Sequence, residues 1–214
     1  MTAFLLLKHG GDREMIKNII FDLGNVLISY EPESFIEKYV KEKNREKFYE
    51  VVFKSKEWLA LDRGTLGYDE AFEIFSQKLP DEIESLRRLL KNNIQDVLFP
   101  LETNLNLLEE LKKKYNLYIL SNFHRESFLE IAKKCNFSNY FKGGVISYEV
   151  KLLKPEKEIY ESILKKYNLI PEETLFIDDT QANVEAAQKM GIKIIHLREK
   201  NKLKEELLKK EIEL

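Results

Sequence analysis

Five short apolar runs, spaced along the chain with helical stretches between them, constrain this sequence more than any other feature. They are NIIFD (18–22), LYILS (117–121), GGVIS (143–147), TLFID (174–178) and KIIHL (193–197). Several are apolar throughout and do not alternate with polar residues. Strands of that kind are covered on both faces, as in a parallel sheet. The segments TNLNLLEELKKKY, ESFLEIAKKCNF, EKEIYESILKKYN and NVEAAQKMG place apolar residues at steps of three and four, which is the helical period. The glycine closing the last of them is a good helix stop. Strands alternating with helices give an α/β fold with a doubly wound parallel sheet. Such a sheet binds ligands outside the C-terminal ends of its strands.

One interval breaks the alternation. From Ser34 to Asp96 there is almost no strand pattern, only the helical stretches SFIEKYVKEK, REKFYEVVFKS, YDEAFEIFSQKL and PDEIESLRRLLKNNIQDV. A crossover of that length is too large to be a loop. It reads as an inserted small α-helical cap over the strand ends, broken into halves by LDRGTLG (61–67). The expected organisation is therefore a core of residues 15–30 and 97–200, a helical cap of 31–96 and a C-terminal helix in 201–214. The charged run NKLKEELLKKEIEL of that last segment reads as a solvated amphipathic helix. Residues 1–14 fit nothing around them and are set apart as a tail, with Met15 just ahead of the first strand. A length of 214 residues suits one core domain carrying a smaller insert.

Charge and cysteine content exclude some classes of function. Thirty-five basic residues against 37 acidic ones leave a net charge of −2. Proteins that bind phosphate backbones usually carry a clear basic excess, so nucleic acid is not expected as an obligate partner. A local basic pocket for one small phosphate remains compatible with that balance. No apolar run approaches the ~20 residues of a membrane span. AFLLL near the N-terminus falls short of the ~7 apolar residues of a signal-peptide core. The single cysteine, Cys135 in IAKKCNF, has no internal disulfide partner. It reads as an inert helix thiol in a reducing, cytoplasmic setting. The expected state is a monomer or small homo-oligomer.

The chemistry lies at the strand ends. The first strand ends in Asp22, the second in Ser121-Asn122 and the fourth in Asp178-Asp179, while Lys154 stands in KLLKPEKEIY just before a helix. Each alone has a plainer reading. Asp22 or Ser121 would cap a turn, the aspartate pair would cap the helix starting near Asn183, and Lys154 would be one more surface lysine. Together, three carboxylates, a hydroxyl and a lysine on one rim suit a hard cation and a phosphate. Mg²⁺ takes oxygen ligands and shares them with substrate phosphates. A buried carboxylate such as Asp22 is costly unless paired or metal-bound.

These residues carry a resemblance. FDLGNVL, ILSN, KP and FIDD occur in that order, followed by TQANVEAAQKMG, with a helical insert after the first strand. The sequence resembles the haloacid-dehalogenase-like (HAD) hydrolase superfamily from Lys17 to about Leu197, within the group that has a small helical cap. The resemblance implies a Mg²⁺-dependent phosphatase acting on a small phosphorylated metabolite. Asp22 would be the nucleophile that forms an aspartyl-phosphate. Asp179 would ligate Mg²⁺ with Asp178 in support. Ser121 would bind the phosphoryl group, Lys154 would hold nucleophile and phosphate together, and Asn122 would face the pocket.

Two departures qualify the match. Most phosphatase members carry a second aspartate two residues after the nucleophile. Its side chain is the general acid and its carbonyl a metal ligand. Gly24 keeps the carbonyl and loses the acid, which typically contributes ~10²–10⁴ in rate. The loss is smaller for weakly basic leaving groups such as a sugar hemiacetal oxygen or a carboxylate. A bacterial subgroup sharing the DLGNV form includes α-D-glucose-1-phosphate phosphatases. A pocket water or His124 is a further proton source, although His124 reads first as a helix-start residue. The second departure is Lys151, where relatives often carry glycine; it either adds charge near the pocket or points to solvent. Arg63 either lines the pocket or forms a salt bridge. Trp58 reads as cap core, and His196 as a structural histidine. Two alternatives stay open: a metal-free haloacid dehalogenase, against which the FIDD pair argues, and a non-catalytic phosphometabolite-binding protein, which Gly24 suggests.

Overall fold

The computed structural model describes residues 15–92 and 96–214. The expected tail at 1–14, with AFLLL and His9, lies outside the described residues, as do residues 93–95 of the last insert stretch. Seven strands follow in chain order: β1 Asn18–Phe21, β2 Ile28–Tyr30, β3 Leu98–Pro100, β4 Asn116–Ser121, β5 Gly143–Ile146, β6 Thr174–Asp178 and β7 Lys193–His196. Five of them form one sheet in the order β5-β4-β1-β6-β7, and every pairing within it is parallel. These are the five strands the apolar runs predict.

Both faces of this sheet are covered, which explains why its strands are apolar without alternation. Side chains of successive residues point to opposite faces. Ile19 and Phe21, Leu117 and Ile119, and Leu175 and Ile177 pack on one side with Leu108, Leu111, Ile131 and the helical insert. Ile20, Tyr118, Leu120 and Phe176 pack on the other with Ile159, Tyr160, Ile163 and Ala187. At ~25 cal/mol per Å² of apolar surface, a fully buried side chain of this size contributes about 1.5–3 kcal/mol. The C-terminal helix, Leu203–Lys209, joins the first face. Leu203 and Leu207, with Ile212 beyond it, are buried, so the segment is docked on the core and not solvated all round.

The insert is helical: Pro32–Tyr39, Arg45–Phe48, Lys56–Arg63, Tyr68–Lys78 and Ile83–Arg87, with shorter turns between. Phe35, Phe48, Phe53 and Trp58 form an aromatic chain through its interior, with successive ring centroids 6.2, 6.1 and 4.8 Å apart. The helix Lys56–Arg63 lies where the sequence shows only a break. Ser55 caps its start, its Oγ accepting from Trp58 N at 3.0 Å, and Gly64 ends it with a φ of 69°. A Cβ at Gly64 would stand 2.6 Å from the Tyr148 carbonyl oxygen, so glycine is required there by close approach as well as by conformation.

The sequence reading has no counterpart for β2 and β3. They pair antiparallel, Tyr30 opposite Leu98 and Ile28 opposite Pro100, where the chain leaves the core and returns. Each has three residues, too few for a period to show. Their pairing spans about seventy residues, which no local pattern reports.

Candidate active site

The parallel register brings the strand ends to one rim. Phe21 pairs with Ile119 of β4 and with Ile177 of β6, so Asp22, Ser121 and Asp178 emerge side by side. The Asp22 amide donates to the Ile177 carbonyl at 2.9 Å. All three residues are buried, as is Lys154. Ser121 Oγ donates to Asp22 Oδ1 at 2.6 Å. Lys154 Nζ lies 2.8 Å from the same Asp22 oxygen and 2.6 Å from Asp178 Oδ2. One ammonium thus bridges two carboxylates. Removing Lys154 would strand two buried carboxylates, and breaking a buried pair so that charge is left uncompensated typically costs ~3–5 kcal/mol.

Electrostatics differ across this cluster. Burial pushes the Asp22 carboxyl up to about 7; Lys154 pulls it down and Asp178 pushes it further up. Burial also works against the Lys154 charge, but Asp178 and Asp22 outweigh it and hold the ammonium above its ordinary value. Asp178 is saturated by its neighbours. Its Oδ1 accepts from the Thr180 amide at 2.8 Å and from Asn183 Nδ2 at 3.0 Å, and its Oδ2 takes Lys154. Asn183, in the TQAN stretch, thus orients the aspartate that holds the lysine.

Asp179 is turned the other way. Its Oδ2 accepts from Asn25 Nδ2 at 3.0 Å, and its carbonyl is 2.9 Å from His196 Nε2. Asn25 has a φ of 52°, a conformation asparagine tolerates better than most residues. Its Oδ1 accepts from the Tyr30 amide at 3.2 Å, so one side chain ties the first turn to the second aspartate. The sequence alone assigns Asn25 no role; an asparagine directly after the glycine is the available signal.

Carboxylate oxygens of Asp22, Asp178 and Asp179 lie within 4.8 Å of one another. An all-oxygen donor set of this kind fits Mg²⁺. Of the three carboxylates, Asp178 is the most fully engaged by protein donors, namely Lys154, Thr180 and Asn183. Gly24 itself is not in the left-handed region. A Cβ built there meets nothing closer than Asp22 Oδ2, at 4.0 Å. Neither packing nor backbone conformation demands a glycine.

Asn122 lines the cavity as expected and also braces the lysine. Its Nδ2 donates to the Lys154 carbonyl at 3.1 Å, and its Oδ1 accepts from the Lys154 amide at 2.8 Å. Both ends of the amide fix the lysine backbone. Arg63 forms a salt bridge, its Nη1 lying 3.1 Å from Glu156 Oε2 and 3.0 Å from the Lys151 carbonyl. Glu156 Oε2 also accepts from the Leu153 amide at 3.1 Å, next to Lys154. Lys151 turns to the Gly64 carbonyl of the insert. Cys135 is half-buried, and burial raises its thiol to about 11, so it is protonated at neutral pH.

A cavity of about 230 Å³ opens above the rim. Gly24, Asn25, Asp179 and Thr180 form its floor. Tyr30, Trp58, Leu98 and Phe123 add apolar lining, and Asp62, Asn122, His124 and Ser127 add polar lining. Among the described residues lining it there is no lysine or arginine. The sequence reading missed Asp62, which sits in the LDRG break and faces the site only because the helix Lys56–Arg63 packs on the core. Ser147 Oγ, just after β5, donates to the Asp62 carbonyl at 2.5 Å and accepts from the Phe123 amide at 2.9 Å. That hydroxyl fastens insert to core beside the cavity.

Comparison with known proteins agrees with this arrangement. The family model for haloacid dehalogenase-like hydrolases matches residues 16–191. The D-ribitol-5-phosphate phosphatase of Bacteroides thetaiotaomicron is 27% identical over 195 residues, covering 83% of this chain and 89% of that protein. A phosphorylated carbohydrates phosphatase of Thermotoga maritima is 26% identical, covering 83% of each. A crystal structure of a HAD family enzyme from B. thetaiotaomicron, a mutant in complex with magnesium and inorganic phosphate, superposes with a TM-score of 0.72. It is 27% identical, and the match covers 85% of this chain and 93% of that one.

Proposed function

We propose, given that this chain belongs to the haloacid dehalogenase-like hydrolase family, that it is a Mg²⁺-dependent phosphatase of a small phosphorylated carbohydrate. The observation that carries this reading is the buried cluster in which Lys154 bridges Asp22 and Asp178 while Ser121 donates to Asp22. A carboxylate so placed is a nucleophile held for attack on phosphorus. Asp22 attacks, an aspartyl-phosphate forms, and water hydrolyses it. Ser121 and Lys154 donate to phosphoryl oxygens and offset their charge. Asp22, Asp179 and the Gly24 carbonyl would hold Mg²⁺, with Asp178 in support and Asn25 orienting Asp179. When bound, the ion neutralises phosphate charge and favours the ionised form of Asp22.

The cavity supports a neutral, hydroxylated leaving group. Asp62, Asp179, Ser127 and His124 offer hydrogen-bonding partners to hydroxyls, and Tyr30 and Trp58 offer flat apolar faces. A second phosphate or a carboxylate there would meet Asp62 and find no lysine or arginine among the described lining residues. The two relatives named for phosphorylated carbohydrates point the same way. The dehalogenase reading is disfavoured because three clustered carboxylates have no task in a reaction without phosphate charge.

The test is phosphate release from ribitol 5-phosphate, glucose 1-phosphate, phosphoglycolate, acetyl phosphate and p-nitrophenyl phosphate. Each is measured with Mg²⁺, with EDTA and with Asp22→Asn. Release that needs Mg²⁺ and Asp22 is expected, with phosphoglycolate poorest. Silence across the panel would overturn the reading; tight phosphate binding without turnover would favour a binding protein, and halide release in EDTA would revive the dehalogenase.

A further inference from the structure

We propose that His124, in the lining of the cavity, is the general acid of this site and supplies the proton that Gly24 cannot. The inference rests on the phosphatase reading above and deepens it.

Four observations converge on His124. It is 4% exposed and lines the cavity whose floor is Gly24, Asn25 and Asp179. Its Nε2 has no aligned hydrogen-bond partner, although Asp62 Oδ1 stands 3.2 Å away, off the line of a hydrogen bond. A buried ring nitrogen left so costs free energy unless a ligand completes it. Its other nitrogen, Nδ1, is 3.2 Å from the Tyr68 hydroxyl, which is 2.6 Å from Ser127 Oγ. The Trp58 ring packs edge-on against the imidazole at 4.5 Å. The ring is therefore held on one side by Tyr68 and edge-on by Trp58, with Nε2 buried and unpaired beside Asp62 in the lining of the cavity.

Charged groups stand around it. Asp62, from the helix Lys56–Arg63, lies 3.2 Å from Nε2. Asp179 lines the same cavity. Arg125 and Glu126, the next two residues of its own helix, pair with each other at 3.8 Å and are exposed. Lys151 borders a second cavity on the other side of the ring, with its ammonium committed to the Gly64 carbonyl. In the first step, an Asp22 oxygen bonds to phosphorus and the bond from phosphorus to the ester oxygen breaks. The electron pair stays on that oxygen, which takes the proton from Nε2. In the second step, water attacks phosphorus and returns a proton to Nε2, and Asp22 departs as a carboxylate. Acid and base roles alternate on one nitrogen.

The experiment compares leaving groups. Wild type, His124→Gln and Asp62→Asn are assayed with Mg²⁺ on glycerol 1-phosphate, p-nitrophenyl phosphate and acetyl phosphate, with kcat and KM separated. His124→Gln is expected to lower kcat on glycerol 1-phosphate by about 10²-fold or more, with acetyl phosphate nearly unaffected because a carboxylate leaves without a proton. Asp62→Asn should follow in the same order and more weakly. Adding Gly24→Asp to His124→Gln should restore glycerol 1-phosphate selectively. Equal losses on all three substrates, or no loss on the alkyl phosphate, overturn the proposal while leaving the phosphatase intact. Retained acetyl phosphate turnover reports that the variant is folded. A wild type inactive on every substrate overturns the phosphatase reading, and this proposal with it.

Discussion

Replacing Gly24 by aspartate restores the residue type that most phosphatase members of the family carry there. The site has room for it. The backbone is in an ordinary conformation and the nearest heavy atom to a Cβ is Asp22 Oδ2, at 4.0 Å. A carboxyl oxygen extends roughly 2.4 Å beyond Cβ, enough to reach an oxygen leaving phosphorus at Asp22. The new group would be protonated when it matters. Two carboxylates about 5 Å apart repel by ~3 kcal/mol at an effective dielectric constant near 20, which raises the second one's pKa. A protonated carboxyl beside the leaving oxygen is a general acid, worth ~10²–10⁴ in rate where none exists. Since His124 already serves in the wild type, Gly24→Asp alone should raise kcat on glycerol 1-phosphate by only about tenfold. On acetyl phosphate it should change kcat less than about threefold, since that leaving group needs no proton. The assay is phosphate release at saturating substrate and Mg²⁺. A parallel rise or fall on both substrates would show that the carboxyl acts on the metal or on binding, and would refute the argument from proton transfer.

Three other perturbations probe the cluster. The fold raises the Asp22 carboxyl from 3.8 to about 7, chiefly by burial. In metal-free protein this group therefore costs stability progressively as pH rises from about 4 to about 7, because the folded state binds the proton more tightly than the unfolded one. Asp22→Asn should match the wild type in Tm near pH 4 and exceed it at pH 8 in EDTA; a wild-type advantage at pH 8 would contradict this. Asn25→Ala removes the amide that holds Asp179 Oδ2 and should weaken Mg²⁺ by about 10–100-fold, read by calorimetry, with an unchanged Kd counting against the role. Arg63→Ala cuts the insert from Glu156 and the Lys151 carbonyl. The pair is partly exposed, so stability should fall by no more than ~1 kcal/mol while KM rises; a large loss of Tm with unchanged KM would assign Arg63 to folding alone.

The sheet and its rim were legible because their signals are local. An apolar run such as TLFID fits few structures other than a covered strand, and its last residues must emerge at the rim. Asp22, Ser121 and Asp178 gather there because parallel register aligns the strand ends, and Lys154 reaches them from the loop before a helix. Asp179 reads equally well, as the partly buried member of the pair. The cavity lining around His124 was not legible. Asp62 and Tyr68 reach His124 through packing of the insert on the core, and helical spacing within the insert says nothing about which turn meets which strand end. Asn122 shows the opposite limit, since its position beside Ser121 was readable but the two hydrogen bonds to Lys154 depend on a loop thirty residues away.

The antiparallel ribbon of β2 and β3 has a consequence for how such a protein can diversify. The insert is tethered to the core through this pair, and Tyr30 and Leu98, which face each other across it, also line the cavity. The tether and part of the substrate wall are thus the same residues. A change that widens the cavity at Tyr30 alters the stiffness of the joint, and a change that loosens the joint reshapes the cavity. Substrate range and rate of product escape are inherited as one trait here, so broader selectivity would be acquired together with faster exchange instead of independently of it.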